Sequence, residues 1–231
     1  MIFLMLNNFT DFGPLWLSLK LALVVTIILL IIGTPLAWWL SQTRSRLKPV
    51  IEAMTALPLV LPPTVLGFYF LILFNPNSGL GKTWLSVTGD TLSFSFSGLV
   101  IASAVYSLPF MVQPLQTAFE GIKRQTLDAA SILRAGPIDR FFHVATPLSI
   151  RGFITASVLA FAHTLGEFGI VLMVGGNIPG QTKLVSIAIY EHVETLQYSQ
   201  AHALSVTLLI FAFLVLLCVY IFNRSHPVKI G

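Results

Sequence analysis

The chain has 231 residues, of which 55% are hydrophobic and only 10% are charged, and its mean hydropathy is +0.86. A soluble domain carries about a quarter charged residues, so this composition excludes a water-soluble globule and indicates a protein solvated by a bilayer. The formal net charge of +4 comes from cations in short gaps between apolar runs. That placement is typical of membrane topology signals and argues against nucleic acid as a partner.

Five apolar stretches are long enough to cross the hydrocarbon core as helices, which takes about 20 residues each. Backbone groups cannot stay unpaired in lipid, and the alternation of a β-barrel strand is absent from these stretches. The sequence therefore predicts an all-α, polytopic transmembrane helix bundle that forms a single domain over residues 1–231. The predicted spans are residues 15–40, 51–74, 96–119, 152–174 and 203–222, with a long loop at residues 120–151.

Basic residues fall mainly into the gaps on one side of these spans. The other side holds only Lys82 and Lys183, while Lys20 lies near the corresponding end of the first span. The positive-inside rule predicts a multi-pass protein with the N-terminus outside and the C-terminus in the cytoplasm. The basic side carries Arg44, Arg46, Lys48, Lys123, Arg124, Arg134, Arg140, Arg151, Arg224 and Lys229.

Three prolines, Pro58, Pro62 and Pro63, fall within the second predicted span. Proline removes a backbone hydrogen bond and clashes with the preceding turn, so we expect this helix to be kinked or locally unwound. Such a break serves either as a packing device or as a deformable element that lines a transport route.

The long loop after the third span contains an amphipathic pattern followed by a second helical start. Apolar residues recur at helical spacing from Thr117 to Arg134, which predicts one helix, and Gly136 suits a left-handed position at its end. Pro137 can then begin a second short helix through Val144. We call this bent segment, residues 117–144, the elbow. It is either a solvated loop helix or a docking surface for another protein.

The fourth predicted span carries His163 and Glu167, four residues apart and therefore on one helical face. Ionisable groups within a membrane are costly, so both are candidates for function. Zinc needs three or four ligands and no third one is close in sequence, so interhelical hydrogen bonding is the preferred interpretation. For Glu167 we expect a partner such as Lys20 or a hydroxyl. In the last span, the single cysteine, Cys218, is expected to be a buried structural thiol.

Several segments together resemble the permease subunits of ABC importers, and in particular the molybdate permeases and their sulfate and tungstate relatives. The elbow resembles the conserved cytoplasmic loop of those permeases, with Asp128 in place of its leading Glu and Arg134 in place of its usual Gly. The similar segments are residues 128–130 (DAA), 135–136 (AG), 146–148 (TPL), 57–67 (LPLVLPPTVLG), 165–169 (LGEFG), 177–180 (NIPG) and 188–190 (AIY).

This resemblance implies a type I importer permease of a bacterial inner membrane, with two copies forming the pathway. Two ATP-binding subunits and an extracytoplasmic oxyanion-binding protein are the implied partners, and the chain itself is expected to be non-catalytic and to hold no cofactor. The implied cargo is molybdate, with sulfate or tungstate as alternatives. Implied coupling residues are Asp128, Ala129, Ala130, Leu133, Arg134, Ala135 and Gly136, and translocation or gate candidates are Pro58, Pro62, Pro63, His163, Gly166 and Glu167.

Two rival functions have less support in the sequence. Gly81-Lys82-Thr83 resembles the end of a phosphate-binding loop, but Pro76 replaces its first glycine, so we expect no ATP site in this chain. An intramembrane hydrolase would need a nucleophile context that is missing. An ATP-independent secondary transporter or channel would be favoured by a charged relay across several spans, whereas only Glu167 lies deep in one.

Overall fold

The computed structural model describes residues 13–224, so Lys229 and the first twelve residues lie outside the described part of the chain. Within that part the fold is helical, as the sequence predicted. The helices are α1 (Gly13–Gln42), α2 (Lys48–Val60), α3 (Pro63–Phe74), α4 (Gly79–Thr88), α5 (Phe96–Glu120), α6 (Arg124–Ile132), α7 (Pro137–Arg140), α8 (Thr146–Leu148), α9 (Ile150–Leu165), α10 (Gly169–Gly175), α11 (Val185–Glu194) and α12 (Tyr198–Arg224), with a π-helical turn at Phe141–Ala145 between α7 and α8.

Three described helices, α1, α5 and α12, are long and apolar enough to cross a membrane without interruption. Helices α1 and α5 form the centre of the bundle, where Gly33 lets them approach closely. A Cβ atom added at Gly33 would lie 2.9 Å from Met111 Cγ. The side chains of Leu21, Val25 and Leu115 are fully buried in the same core. Small residues of this kind let membrane helices pack backbone to backbone.

The second predicted span is broken, which confirms the expected effect of its prolines. Helix α2 ends at Val60, α3 begins at Pro63, and the two are bent by 109°. Pro63 occupies the first turn of α3, where its missing N–H costs nothing because no acceptor lies in the preceding turn. Leu61 and Pro62 between the helices have extended ψ angles of 137° and 136°.

The fourth predicted span, residues 152–174, is also divided, which differs from the continuous helix expected. Helix α9 ends at Leu165, and α10 begins only at Gly169 after a break that contains Gly166 and Glu167. A second bend of 76° separates Pro137–Leu148 from α9. If each bent pair counts as one crossing, the described residues contain five spans.

The connections opposite the elbow contain two short helices, α4 and α11. Helix α4 includes Gly81-Lys82-Thr83, and the hydroxyl of Ser78 caps its start by accepting from Gly81 N at 2.9 Å. Helix α11 follows Lys183 and contains Glu191. Lys183 Nζ lies 2.6 Å from Glu191 Oε2, and this contact lowers the pKa of the Glu191 carboxyl, with a further hydrogen bond from Asn177 at 2.8 Å.

Helix α12 lies at the edge of the described bundle, and only 11% of its most apolar window is buried within the chain. Cys218 is exposed on this helix, so the expectation of a buried thiol was wrong. An apolar run predicts contact with apolar surroundings, but it does not distinguish lipid from protein core. The thiol is exposed on the apolar outer face of the bundle.

Candidate functional site

The elbow begins later in the chain than its amphipathic pattern predicted. Residues from Thr117 to Glu120 belong to the end of α5, which is capped by Gly121, and the first arm of the elbow is α6, starting at Arg124. The second arm starts at Pro137, as predicted, and continues as the π-helical turn. A single helix was expected because the apolar spacing continues through the turn at residues 121–123.

The corner between the two arms is a Schellman motif with Arg134 at its left-handed position. Arg134 has φ +64°, Ala135 N donates to Ala130 O at 3.0 Å, and Arg134 N donates to Ser131 O at 3.0 Å. Gly136, which was expected in this conformation, has φ −66°. The prediction of a left-handed glycine was therefore wrong by two positions. The available signal was that the related permeases have glycine where this chain has Arg134, since glycine favours that conformation.

The outer surface of the elbow exposes large apolar side chains. Ile132 is 83% exposed, Leu133 82%, Ile138 74% and Phe142 60%. The two arms are held together by Arg140, whose Nη1 donates to Ser131 Oγ at 2.8 Å. Among the predicted coupling residues, Asp128, Ala129, Leu133, Arg134 and Gly136 are exposed, whereas Ala130 and Ala135 are half-buried. An exposed apolar patch of this kind is typical of an interaction surface, either for another protein or for lipid.

A second candidate site lies between α5 and α9, where His163 joins a chain of hydroxyl groups. Its Nδ1 is 2.9 Å from Ser107 Oγ, which is 2.8 Å from Thr164 Oγ1, and Thr164 donates to Ala160 O at 2.9 Å. The Thr164 hydroxyl donates its only hydrogen to Ala160 O. Ser107 must therefore donate to Thr164 and accept from His163. This network therefore favours the tautomer with hydrogen on Nδ1. It confirms interhelical hydrogen bonding for His163.

The imidazole of His163 is also enclosed by aromatic rings of α5. The ring centroid of Phe110 is 3.9 Å away in a stacked arrangement, and that of Tyr106 is 4.7 Å away. The ring is thus fixed by stacking on one side and a hydrogen bond at Nδ1. A side chain held in this way is suited to joining two helices rigidly.

Glu167 lies in the break between α9 and α10 and is only 5% exposed. Within the described residues, neither carboxylate oxygen of Glu167 makes a hydrogen bond of normal geometry. The Ser103 hydroxyl lies near this carboxylate and also makes no such bond. Lys20, considered as a partner, instead places its Nζ 4.9 Å from the centre of the Phe96 ring. A buried carboxyl without partners is costly, which makes this break a candidate for a functional site.

The break at Glu167 meets the break at the prolines. A Cβ atom added at Gly169 would lie 2.9 Å from Pro63 Cβ, and one added at Gly67 would lie 3.0 Å from Met173 Cβ. Pro58 is buried, Pro63 is half-buried, and Pro62 and Gly166 are exposed. The structure therefore brings Pro63, a predicted gate candidate, against Gly169, two residues after Glu167. The prolines predicted the first break, whereas neither the second break nor the contact between the two, which depends on how α3 and α10 pack, was predicted.

Metal binding has no support in this part of the molecule. Across residues 13–224, no group of three or more His, Cys, Asp or Glu side chains is arranged to hold a metal ion. His163 and Glu167 thus belong to a helix contact and a helix break, respectively.

Comparison with known proteins identifies the family. Residues 30–227 match the family described as binding-protein-dependent transport system inner membrane components. The chain belongs to this family. Family members are transport subunits, as the sequence predicted, and membership implies ATP-binding subunits and a substrate-binding protein as partners.

Individual relatives cover nearly the whole chain. It is 55% identical over 214 residues to the molybdenum transport system permease protein ModB of Azotobacter vinelandii, covering 93% of this chain and 95% of that protein. Identity to ModB of Escherichia coli K12 is 37% over 179 residues, covering 78% of each chain. Resemblance to the molybdate permeases is thus confirmed.

Solved structures show the same fold at low sequence identity. The methionine ABC transporter MetNI, in an inward-facing conformation, matches with a TM-score of 0.72 and 16% identity, covering 92% of this chain and 94% of the other. A bacterial ABC transporter that imports alginate matches with a TM-score of 0.73 and 14% identity, covering 95% and 82%. The predicted importer permease fold is confirmed.

Proposed function

We propose that this chain is the membrane-spanning permease subunit of an ATP-driven molybdate importer. The 55% identity to ModB of Azotobacter vinelandii over 93% of the chain carries this proposal. A probable sulfate permease of Nephroselmis olivacea is only 29% identical over a similar length, so the comparison favours molybdate over sulfate as cargo.

The elbow is the surface through which the ATP-binding subunit moves the permease. Its exposed apolar residues, Leu133, Ile138 and Phe142, would be desolvated by a docked partner, and burial of such side chains is what fixes a protein interface. The Schellman corner and the Arg140–Ser131 hydrogen bond make the two arms one unit. A movement of the partner can therefore be transmitted as a movement of the whole elbow.

The pathway lies at the interface of two copies related by a twofold axis. One described chain offers only five crossings even if bent pairs are counted, which is a small perimeter for an ion route. Helices α2 and α3 expose Met54, Val60 and Tyr69, so an apolar face remains for a second copy. Isologous pairing is the usual solution for such a face.

The contact of Pro63 with Gly169 is the proposed gate. Both residues begin helices that follow a break, so rotation of α3 or α10 needs fewer hydrogen bonds to rearrange than bending a continuous helix does. Alternating access then follows if ATP binding stabilises one arrangement of the two breaks over the other.

The clustering of basic residues at the elbow end supports the proposed orientation. Arg44, Arg124 and Arg140 come from two different gaps and lie around one pocket at that end. Positive charge at one end of the bundle supports a cytoplasmic elbow and C-terminus and an outer N-terminus, in a bacterial inner membrane.

The test is uptake by proteoliposomes that contain the permease, its ATP-binding subunit and its binding protein. Molybdate accumulation, measured by elemental mass spectrometry, should require ATP and should be reduced less by an equal concentration of sulfate than by tungstate. ATP-independent accumulation would contradict the permease role. Faster uptake of sulfate than of molybdate would leave that role intact and overturn the cargo.

A further inference from the structure

A pocket of about 490 Å³ lies on the side of the elbow that faces the bundle. It is bounded by the end of α1, the end of α5 and the two elbow arms, and we call it the elbow pocket. Its lining residues include Trp38, Thr43, Arg44, Phe119, Arg124 and Arg140. The apolar side chains of the proposed docking surface, Leu133, Ile138 and Phe142, are not among those that line it. The elbow pocket is therefore distinct from that apolar surface, although Asp128, one of the predicted coupling residues, lines it.

The lining of the elbow pocket is positive on balance. The side chains of Arg44 and Arg124 make no hydrogen bond or ion pair within the described residues. Arg140 Nη1 donates to Ser131 Oγ, and the buried Nε of Arg140 has no partner there. Two acids also line the pocket, but Glu120 is already held by Lys48 at 3.1 Å. Asp128 is left as the one acid in the lining without an ion pair within the described residues, and three arginines line the same pocket.

The N-terminal end of helix α6 adds to the positive potential in the elbow pocket. Helix α6 begins at Arg124 without a side-chain cap from Lys123 and has no acid in its first turn. Arg124, Leu127 and Asp128 lie on the pocket face of that helix. Its uncapped first N–H groups and its dipole therefore favour an anion at this end.

The base of the elbow pocket is aromatic. The Trp38 and Phe119 rings lie 5.2 Å apart edge to face, and Phe141 lies 5.5 Å from Trp38 behind them. An apolar wall beside the arginines lowers the local dielectric and strengthens their attraction for an anion. Guanidinium groups match the geometry of phosphate oxygens and bind them through paired hydrogen bonds.

We propose that the elbow pocket binds a phosphate-bearing anion, either a soluble phosphate or the headgroup of an acidic lipid. The bound anion bridges Arg44, which follows α1, to Arg124 and Arg140 of the elbow. Occupancy therefore ties the elbow to the first span and restricts its movement. This binding site goes beyond the proposed transport function and does not depend on the identity of the cargo.

The test uses the purified, delipidated full chain in a neutral detergent. Inorganic phosphate is titrated against chloride at equal ionic strength, with the thermal unfolding midpoint as the readout. In a parallel arm, native mass spectrometry compares phosphatidylglycerol with phosphatidylcholine. Stabilisation by phosphate identifies a soluble ligand, whereas selective retention of phosphatidylglycerol alone identifies a lipid site.

The double variant Arg44→Gln with Arg124→Gln should weaken binding of the active probe about tenfold or more, because two charge-assisted hydrogen-bond donors are lost. Arg46→Gln is the matched control, because Arg46 is exposed in the same linker but does not line the pocket. Asp128→Asn should tighten binding by removing the unpaired acid. The proposal is overturned if neither probe binds, if the double variant and Arg46→Gln weaken binding equally, or if Asp128→Asn has no effect.

Discussion

The elbow and the contact between α5 and α9 differ in how exposed their side chains are and how closely they pack. The elbow leaves Ile132 and Leu133 more than four-fifths exposed, at 83% and 82%. The α5–α9 contact is so close that a Cβ atom added at Gly152 would lie 2.3 Å from Ala118 Cβ. Polar groups differ in the same way, because Ser107 is fully buried and hydrogen-bonded whereas Asp128 is exposed without an ion pair in the described residues.

The α5–α9 contact is suited to holding two helices in a fixed arrangement, whereas the elbow presents a surface that a partner can cover. Helix contacts in a membrane gain little from apolar burial, since lipid is as apolar as the core, and depend on close packing and hydrogen bonds. Outside the membrane, apolar exposure is costly and is retained where a partner covers it. Substitutions should therefore affect assembly at the elbow and stability at the α5–α9 contact.

The largest effect is expected from Leu133→Asp combined with Phe142→Asp. Loss of two interface anchors of about 2 kcal/mol each should weaken docking of the ATP-binding subunit about a thousandfold. Co-purification in detergent measures this loss, and molybdate uptake should fall with it. The free energy of unfolding of the permease should change little, because both side chains are exposed.

Val87→Asp is the matched control, since Val87 is 80% exposed on α4 in the connections opposite the elbow. It should leave co-purification unchanged. Retention of the ATP-binding subunit by the elbow variant would show that the exposed apolar surface serves another partner.

The next largest effect is expected from Gly152→Ala. The added methyl group cannot fit beside Ala118 unless α5 and α9 separate, so overpacking should lower the free energy of unfolding by about 2 kcal/mol. Unfolding in mixed SDS micelles measures this change. Gly136→Ala, where a Cβ atom meets nothing within 4 Å, is the control and should be neutral.

A compensating change makes the same prediction sharper. Ala118→Gly in the Gly152→Ala background restores the space between the helices and should recover about half or more of the lost stability, because glycine in a helix itself costs about 0.5 to 1 kcal/mol. If it does not, the close approach of α5 and α9 is not the cause of the loss.

Ser107→Ala should have a smaller effect than Gly152→Ala. It leaves His163 Nδ1 without its acceptor and removes the donor to Thr164, which should cost about 1 to 2 kcal/mol of unfolding free energy. Ser157→Ala is the control on α9, because that hydroxyl only bonds back to Phe153 O in its own helix. Equal effects of the two substitutions would mean that the interhelical network contributes nothing.

The sequence predicted those features that depend on local chemistry. Long apolar runs predicted α1, α5 and α12, and Pro62 and Pro63 predicted the break between α2 and α3 because a proline ring acts on its own preceding turn. Pro137 predicted the start of the second elbow arm for the same reason.

Features that depend on which helices meet could not be predicted. No spacing in the chain indicates that Ser107 accepts from His163, since the two residues lie on helices separated by the whole elbow. The contact of Gly169 with Pro63 and the burial of Glu167, whose carboxylate makes no hydrogen bond of normal geometry within residues 13–224, arise in the same way. Exposure of Cys218 was missed because an apolar run is compatible with lipid contact and with core packing.

The smallest effect is expected at the elbow corner, where rigidity comes from backbone conformation and not from packing. Arg134→Gly removes the strain of a side chain at φ +64°, which costs about 1 to 2 kcal/mol. Glycine also has more conformational freedom in the unfolded state, which offsets up to about 1 kcal/mol of this stabilisation. The net result should be slower hydrogen exchange of the Ala135 amide, which donates to Ala130 O in the Schellman motif. Gly136→Ala, at φ −66°, should leave this exchange rate unchanged. If Arg134→Gly instead speeds exchange, the arginine side chain stabilises the corner by more than its backbone strain costs, and the elbow depends on side-chain contacts as the α5–α9 contact does.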